Sequence, residues 1–251
     1  MGLTGHILEV TLALERVPSN AIVQESVRCN DLESLVGELE TASAKWPFTV
    51  AWSDLLASGS ATGRGVLLCG RWASADEAAG DDGGSRWPLR VPFAMPDSLL
   101  RDWNVGLFHR LRWEAAPRTP VQQLVAMDSF FHPLDAARDW NLLYGRRGFT
   151  QYQCVLPRDC AAATLRRLAE TARDGGPGPF LAVIKDCGAE GRGLLSFPMP
   201  GLSLALDFPV HEGTPGLVER LDLVAHGGLR DVQFFGGMRE ACVARRSLEC
   251  T

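Results

Sequence analysis

Lysine is almost missing from this sequence. Lys45 and Lys185 are its two instances, and every other basic side chain besides histidine is arginine. With 25 basic against 30 acidic residues the net charge is −5, so the basic face of a nucleic-acid binder is not expected and no nucleic-acid partner is. No apolar run approaches the roughly 20 residues of a membrane-spanning helix, and no basic-then-apolar leader opens the chain, so a soluble protein is expected. Seven cysteines (Cys29, Cys69, Cys154, Cys160, Cys187, Cys242 and Cys250) form no CxxC and show no Cys/His spacing of a zinc site. An odd number in a chain of this length argues against a disulfide framework and for reduced, mostly buried thiols. His6, His109, His211 and His226 are scattered, which leaves no metal site to expect. There is no G-x-G-x-x-G after a strand, no P-loop and no G-x-S-x-G elbow.

What is present suits a globular fold: 46% of 251 residues are apolar, enough for a core in one large domain or two small ones. LEVTLAL (8–14) alternates with period two and predicts a half-buried strand, and IVQESVR (22–28) predicts a second. Asn30 with Glu33 has capping-box spacing, and Leu32, Leu35, Val36 and Leu39 predict an amphipathic helix over 31–43. FTVAW (48–52) and GVLLCGRW (65–72) predict strands, SADEAAGDDGGSR (74–86) a surface loop. A helix is predicted from Asp97 through Arg112, its Trp103, Leu107 and Phe108, with the following Trp113, serving core packing or lining a cavity. The order then repeats: strand 151–157, helix 159–173 stopped by Gly175-Gly176, strands 180–186 and 202–208, and a helix capped at Thr214, with Pro215 in its first turn, ending at Gly227-Gly228. Such order predicts an α+β fold, an antiparallel β-sheet with helices on one face.

Three places stand out chemically. Gln151 and Gln153 share one strand face, while Tyr152 and Cys154 take the other; two amides together can bind a hydroxyl-rich ligand, or can simply be the wet side of an edge strand. Lys185 ends the apolar run FLAVI and can meet a phosphate or carboxylate, or reach solvent on its stem. In LLSFPMPGLSLALDFP (194–209), Ser203 and Ala205 face away from Leu202, Leu204 and Leu206, leaving room for a ligand or for close packing. His132, before Pro133 in FFHPLD, has no Asp/Ser partner at triad spacing.

Taken together, MGLTG at 1–5, VAWSDLLA at 50–57, FFHPLDAARDWNLLYGRRGFTQYQ at 130–153, VIKDCG at 183–188 and LLSFPMPG before a strand ending DFP resemble the decaprenylphosphoryl-β-D-ribose 2′-oxidase family. That family belongs to the vanillyl-alcohol-oxidase type of FAD-linked oxidases, as do the aldonolactone oxidases such as D-arabinono-1,4-lactone oxidase. The resemblance runs in order from residue 1 to about Gly228. It implies oxidation of a sugar hydroxyl, the 2′-hydroxyl of a polyprenylphosphoryl-ribose, to a ketone with hydride passing to N5 of FAD. A separate NADH-dependent short-chain reductase would complete this step of cell-wall biosynthesis.

By position, the resemblance implies substrate contacts at Trp52, Phe131, His132, Gln151, Gln153, Val183, Lys185, Ser203 and Ala205, and cofactor contacts at Gly2, Gly5 and Gln153. Ser203 stands where mycobacterial members have Asn, and Ala205 where they have Cys, which implies a different sugar or lipid. Residues 1–228 are expected to be the substrate domain and 229–251 a divergent tail. The family's N-terminal FAD domain is expected to be absent, with the flavin supplied by a separate chain, and its Tyr/Lys segment after the last helix is expected to be lost, leaving no catalytic residue to name. A noncatalytic, truncated remnant or binding module is the alternative, and an aldonolactone oxidase relative a further one. The expected location is cytoplasmic, peripheral to the inner membrane at most.

Overall fold

AIVQESVRC and GVLLCGRW, rich in β-branched and apolar residues, pair antiparallel along their length, from Ile22 opposite Trp72 to Cys29 opposite Gly65. The computed structural model describes residues 6–79, 89–96, 99–174, 176–191 and 197–227. Within them the order is β1 (Ala21–Cys29), α1 (Leu32–Ser43), β2 (Phe48–Ser53), β3 (Gly65–Trp72), α2 (Ala75–Ala78), β4 (Leu89–Arg90), α3 (Asp102–Ala115), β5 (Val121–Ala126), α4 (Met127–Phe131), β6 (Ala137–Arg138), β7 (Phe149–Leu156), α5 (Arg158–Arg173), β8 (Leu181–Cys187), β9 (Gly201–Pro209) and α6 (Thr214–Gly227).

Seven strands form one antiparallel sheet in the order β5-β1-β3-β2-β8-β9-β7, and β4 and β6 form a small parallel pair. The repeat read in the sequence is real. β1–α1–β2–β3 and β7–α5–β8–β9 are both split β-α-β units, in which the helix carries the chain past a place later filled by the third strand. They occupy the sheet in mirrored order and meet where Ala51 pairs with Ile184 and Trp52 with Val183.

One parity of the strands builds the core. Ala51, Leu67, Cys154, Leu156, Ile184, Leu202, Leu204 and Leu206 meet Leu32, Leu35 and Leu39 of α1, Leu165 and Leu168 of α5, and Leu217 and Leu221 of α6. The i, i+3, i+4 spacing of those helical residues puts them on one stripe each. The helix start differs from expectation by one residue: Asp31, not Asn30, caps α1. Its Oδ1 accepts the Ser34 N–H at 2.7 Å while the Asp31 N–H donates to Ser34 Oγ at 3.3 Å. A carboxylate satisfies the free N–H groups at the positive end of the helix better than an amide does. These bonds hold the Asp31 carboxyl below its usual range.

Three expectations need correction. Residues 8–14 are not a strand: Leu8 is 97% and Leu14 91% exposed, and no ladder forms there among the described residues. Period two supplies the right side chains, but a strand also needs a neighbour for its N–H and C=O groups. The stretch 74–86 is not all loop, since Ser74 and Glu77 cap the short α2; residues 80–86 lie outside the described residues. The third helix is shifted, running from Asp102 to Ala115, and Asp97 lies outside the described residues. β5, an edge strand rich in glutamine, is an element the periodicity did not announce.

Two glycines separate the effects of space and backbone freedom. A side chain at Gly65 would lie 2.1 Å from the Trp52 carbonyl oxygen, whereas Gly37, inside α1, has nothing within 4 Å. Gly65→Ala should therefore lower the unfolding free energy by roughly 1–3 kcal/mol. Gly37→Ala should raise it by about 0.5–1 kcal/mol. Urea unfolding followed by tryptophan fluorescence checks both, and equal effects of the two changes would refute the close approach at Gly65.

Candidate functional site

The sheet face turned away from α1, α5 and α6 carries the other parity. Register aligns Gln153 with Ala205, Ala205 with Val183, and Val183 with Trp52. At a strand spacing of about 4.8 Å this row is about 14 Å long. Beside it run the rows Gln151–Asp207–Leu181 and Val155–Ser203–Lys185. Gln151 and Lys185 are exposed, Gln153, Ala205 and Val183 half-buried, and Ser203 buried. β7 is an edge strand with its two amides on the uncovered face, so both features weighed for Gln151 and Gln153 occur together.

The ends of this face are covered. The His109 ring of α3 lies 5.0 Å from the Trp52 ring and the Arg112 guanidinium 5.1 Å from it, leaving Trp52 only 5% exposed. α3 is anchored through Trp113, whose Nε1–H donates to the Cys29 carbonyl at 2.7 Å with Arg28 stacked 3.4 Å over the indole. At the start of β2, Phe131 packs 5.0 Å from Phe48 and 5.8 Å from Trp72. Phe130 fills the space a side chain at Gly70 would need. The structure thus gathers Gln151, Gln153, Val183, Lys185, Ser203 and Ala205, places Trp52 at the end of their row beneath α3, and sets Phe131 and the exposed His132 over the far end of β2 and β3. Gly2, Gly5 and the segment 229–251 lie outside the described residues.

The expectation of core packing for α3 fails for Trp103, Leu107 and Phe108 and is met in part by the half-buried Trp113; the buried positions are Val105 and His109, which the sequence did not single out for it. Trp103 is 71% exposed, and Leu107 and Leu111 continue its stripe at four-residue spacing. The inner side of α3 already carries the packing contacts, so the outer apolar residues face solvent.

Charge on the face is sparse. Lys185 is exposed and makes no ion pair among the described residues; the adjacent Asp186 bonds Arg158. Asp207 is the site residue that the sequence did not single out. It is 3% exposed and its Oδ1 accepts the Gln151 Nε2–H at 2.7 Å. Burial pushes its carboxyl above the usual range, with the Gln151 bond pulling the other way. The period-two run from Ser203 and Ala205 to Asp207 was the available signal. Beyond the row, Tyr144 stacks 4.7 Å from Phe149 and borders a cavity of about 160 Å³ with Arg101, Arg147 and His211. That volume is below the roughly 300 Å³ at which small-molecule pockets begin, which favours the open face as the site.

Of the described thiols, Cys29, Cys69 and Cys154 are buried as expected, and burial pushes Cys29 and Cys154 up to about 12 and Cys69 to about 11. The five described cysteines are free. No metal-binding group of His, Cys, Asp or Glu occurs among the described residues, and no described helix is long and apolar enough to cross a membrane.

Asp54 fixes the turn that follows Trp52. Its Oδ2 takes Arg64 Nε at 3.0 Å, and its Oδ1 takes the Leu56 and Ala57 N–H groups at 3.1 Å each. His109 lies within the field of that pair, yet burial dominates and lowers its pKa, with the Asp54 charge opposing. A lowered folded pKa means stability is complete above the unfolded histidine value of about 6.5 and is lost as pH falls below it. His109→Phe should flatten the fall in unfolding free energy between about pH 6.5 and 5, removing up to about 1.4 kcal/mol per pH unit. An unchanged slope in pH-dependent urea melts would show that His109 is not the group responsible.

No protein-family model matches the chain. It is 31% identical over 266 aligned positions, covering 98% of this chain and 68% of the other, to an uncharacterized protein encoded in the mprA 5′ region of Streptomyces coelicolor. It is 27% identical over 245 positions to the decaprenylphosphoryl-beta-D-ribose oxidase of Mycolicibacterium smegmatis, covering 94% of this chain but 51% of that enzyme. Among solved structures, a variant of Physcomitrella patens BBE-like 1 aligns with a TM-score of 0.41 at 10% identity, over 85% of this chain and 45% of that one. The chain thus spans about half to two thirds of the length of its curated relatives. It belongs to the same family as the Streptomyces coelicolor protein, and it is distantly similar to decaprenylphosphoryl-beta-D-ribose oxidase.

Proposed function

We propose that this chain is the substrate-binding half of an FAD-dependent oxidase that converts a sugar hydroxyl, the 2′-hydroxyl of a polyprenylphosphoryl-ribose, to a ketone. The observation that carries this is the half-buried row Gln153–Ala205–Val183, ending at the covered Trp52, with Gln151 and Lys185 beside it. Amides can donate to and accept from sugar hydroxyls. Val183 and Ala205 leave a flat apolar floor for a ring, and an unpaired lysine suits the substrate's phosphate. Ser203 and Ala205, smaller than their counterparts in mycobacterial members, favour a different sugar or lipid.

The described residues suit the substrate side of such a site and not the cofactor side. The described glycine turn from a strand into a long helix, Gly213 between β9 and α6, has its N–H already bonded to His211 Nδ1 at 3.1 Å. FAD, when bound, supplies the hydride acceptor, and in this proposal it is held by a flavin-binding portion outside the described residues. The ketone product would pass to an NADH-dependent short-chain reductase. The outer stripe of α3, with Trp103, Leu107 and Leu111 exposed, is suited to peripheral contact with the membrane that holds a polyprenyl substrate.

Two measurements test the proposal. Calorimetric titration with a short-chain polyprenylphosphoryl-ribose should show saturable binding that weakens roughly 3–10-fold in Gln153→Ala, the worth of one neutral hydrogen bond. The same chain mixed with FAD and desalted should stay colourless. Absence of saturable binding overturns the substrate assignment, and retained flavin overturns the division between the two halves. For membrane contact, Trp103→Ser should reduce co-sedimentation with anionic phospholipid vesicles. Equal sedimentation of both proteins would remove α3 from that role.

A further inference from the structure

Gln151 and Asp207 are direct cross-strand partners, and the glutamine amide nitrogen lies 2.7 Å from the Asp207 carboxyl oxygen. An ionised carboxylate only accepts hydrogen bonds, so it must receive the NH₂ end of the amide. A glutamine without such a partner can present either end, because its oxygen and nitrogen are nearly interchangeable in shape. We infer that Asp207 is a positioning residue that locks the Gln151 side chain with its NH₂ turned inward and its carbonyl oxygen presented to the ligand, so that this point of the site reads a hydrogen-bond donor, such as a sugar hydroxyl. This rests on the proposed function and deepens it by assigning polarity to one contact.

The surroundings of Asp207 fit a residue kept for orientation. It is 3% exposed, with Leu181 as its partner on β8, while its backbone carbonyl accepts the Phe180 N–H at 3.0 Å. Tyr144 faces it from the segment above; its hydroxyl is pushed up by burial and further by the Asp207 charge, so it does not ionise near neutral pH. Neither Gln151 nor Leu181 titrates. No cation is among the groups that shift Asp207; burial raises its pKa and the Gln151 bond alone opposes. With a raised folded pKa, the stabilising contribution is complete below the ordinary aspartate value of about 3.9 and is lost as pH rises through the folded value. An ionised Asp207 is thus a burden on stability at neutral pH, offset in part by the Gln151 bond.

The test is side-chain amide NMR on the ¹⁵N-labelled full chain, with the Gln151 NH₂ signal assigned by its loss in Gln151→Met. In the wild type the signal should titrate with a midpoint above about 3.9, the ordinary aspartate value, and its protons should be protected from exchange. In Asp207→Asn the new amide can donate to the Gln151 oxygen, so the Gln151 NH₂ should turn outward and exchange about tenfold faster or more. The melting temperature at pH 7 should stay level or rise, whereas a merely structural aspartate would lower it. A Gln151 signal that neither titrates in the wild type nor moves in Asp207→Asn overturns the inference. The wild-type titration decides the matter alone if the variant fails to fold. An oriented amide in a chain that binds no polyprenylphosphoryl-ribose would leave Asp207 in this role and sink the substrate assignment.

Discussion

Two backbone pairs, Ala51 with Ile184 and Trp52 with Val183, join the two repeats into one sheet, and the site depends on them. Side-chain parity is fixed along a strand, so the register at this seam decides which face of one repeat continues which face of the other. A slip of one residue would set Trp52 against the core leucines and turn Val183 inward. In the observed register, Ala51 and Ile184 join the core beneath α1 and α5, and Trp52 and Val183 extend the row that begins at Gln153. Core and site are therefore opposite sides of a single constraint. The core gives that constraint its strength, because the helices pack across the seam as well as within each repeat.

Much of this was legible in the sequence because parity and helical period are local properties. LSLALDF announces both its buried leucines and its small-residue face, and helix 159–173 differs from the observed α5 by one residue at its start. What failed was nonlocal. The alternation of 8–14 describes side chains fit for a sheet and says nothing of whether a neighbouring strand exists. The outer stripe of α3 reads as core by composition, and only the packing of His109 and Trp113 beneath it shows which side faces inward. Asp207 went unnoticed because, at a strand end, it resembles a solvated charge. Its burial comes from Tyr144 and β8, which no local pattern encodes. The gathering of Trp52, Val183 and Gln153 came from the resemblance; spacing alone offers no reason to put positions so far apart in sequence side by side.

Arginine in place of lysine has a structural use here. Arg28 and Arg64 both lie over the Trp113 ring, at 3.4 and 5.0 Å, and Arg112 lies over Trp52. A planar guanidinium can stack on an indole and still direct its N–H groups outward, as Arg64 does toward Asp54. A lysine ammonium, more strongly hydrated, would be poorly placed in such a stack. The arginines therefore tie α3 and the turn after β2 to the sheet, and Lys185 stands exposed on the open face.

The division of polar groups on that face bears on what it can do. In the proposed function Gln151, Gln153 and Lys185 bind and orient the substrate, and the two amides have no titratable group with which to act as a base. The described carboxylate beside them, Asp207, is buried and committed to Gln151, which fits positioning and argues against service as the base. In the proposed function, oxidation would require a proton acceptor and a hydride acceptor brought to the same row from outside the described residues. A surface of this kind also explains why the two repeats need not close over their own site. In the proposed function the open side is the one from which the cofactor would approach, and a helix over it, as α3 lies over Trp52, would exclude the cofactor together with the solvent.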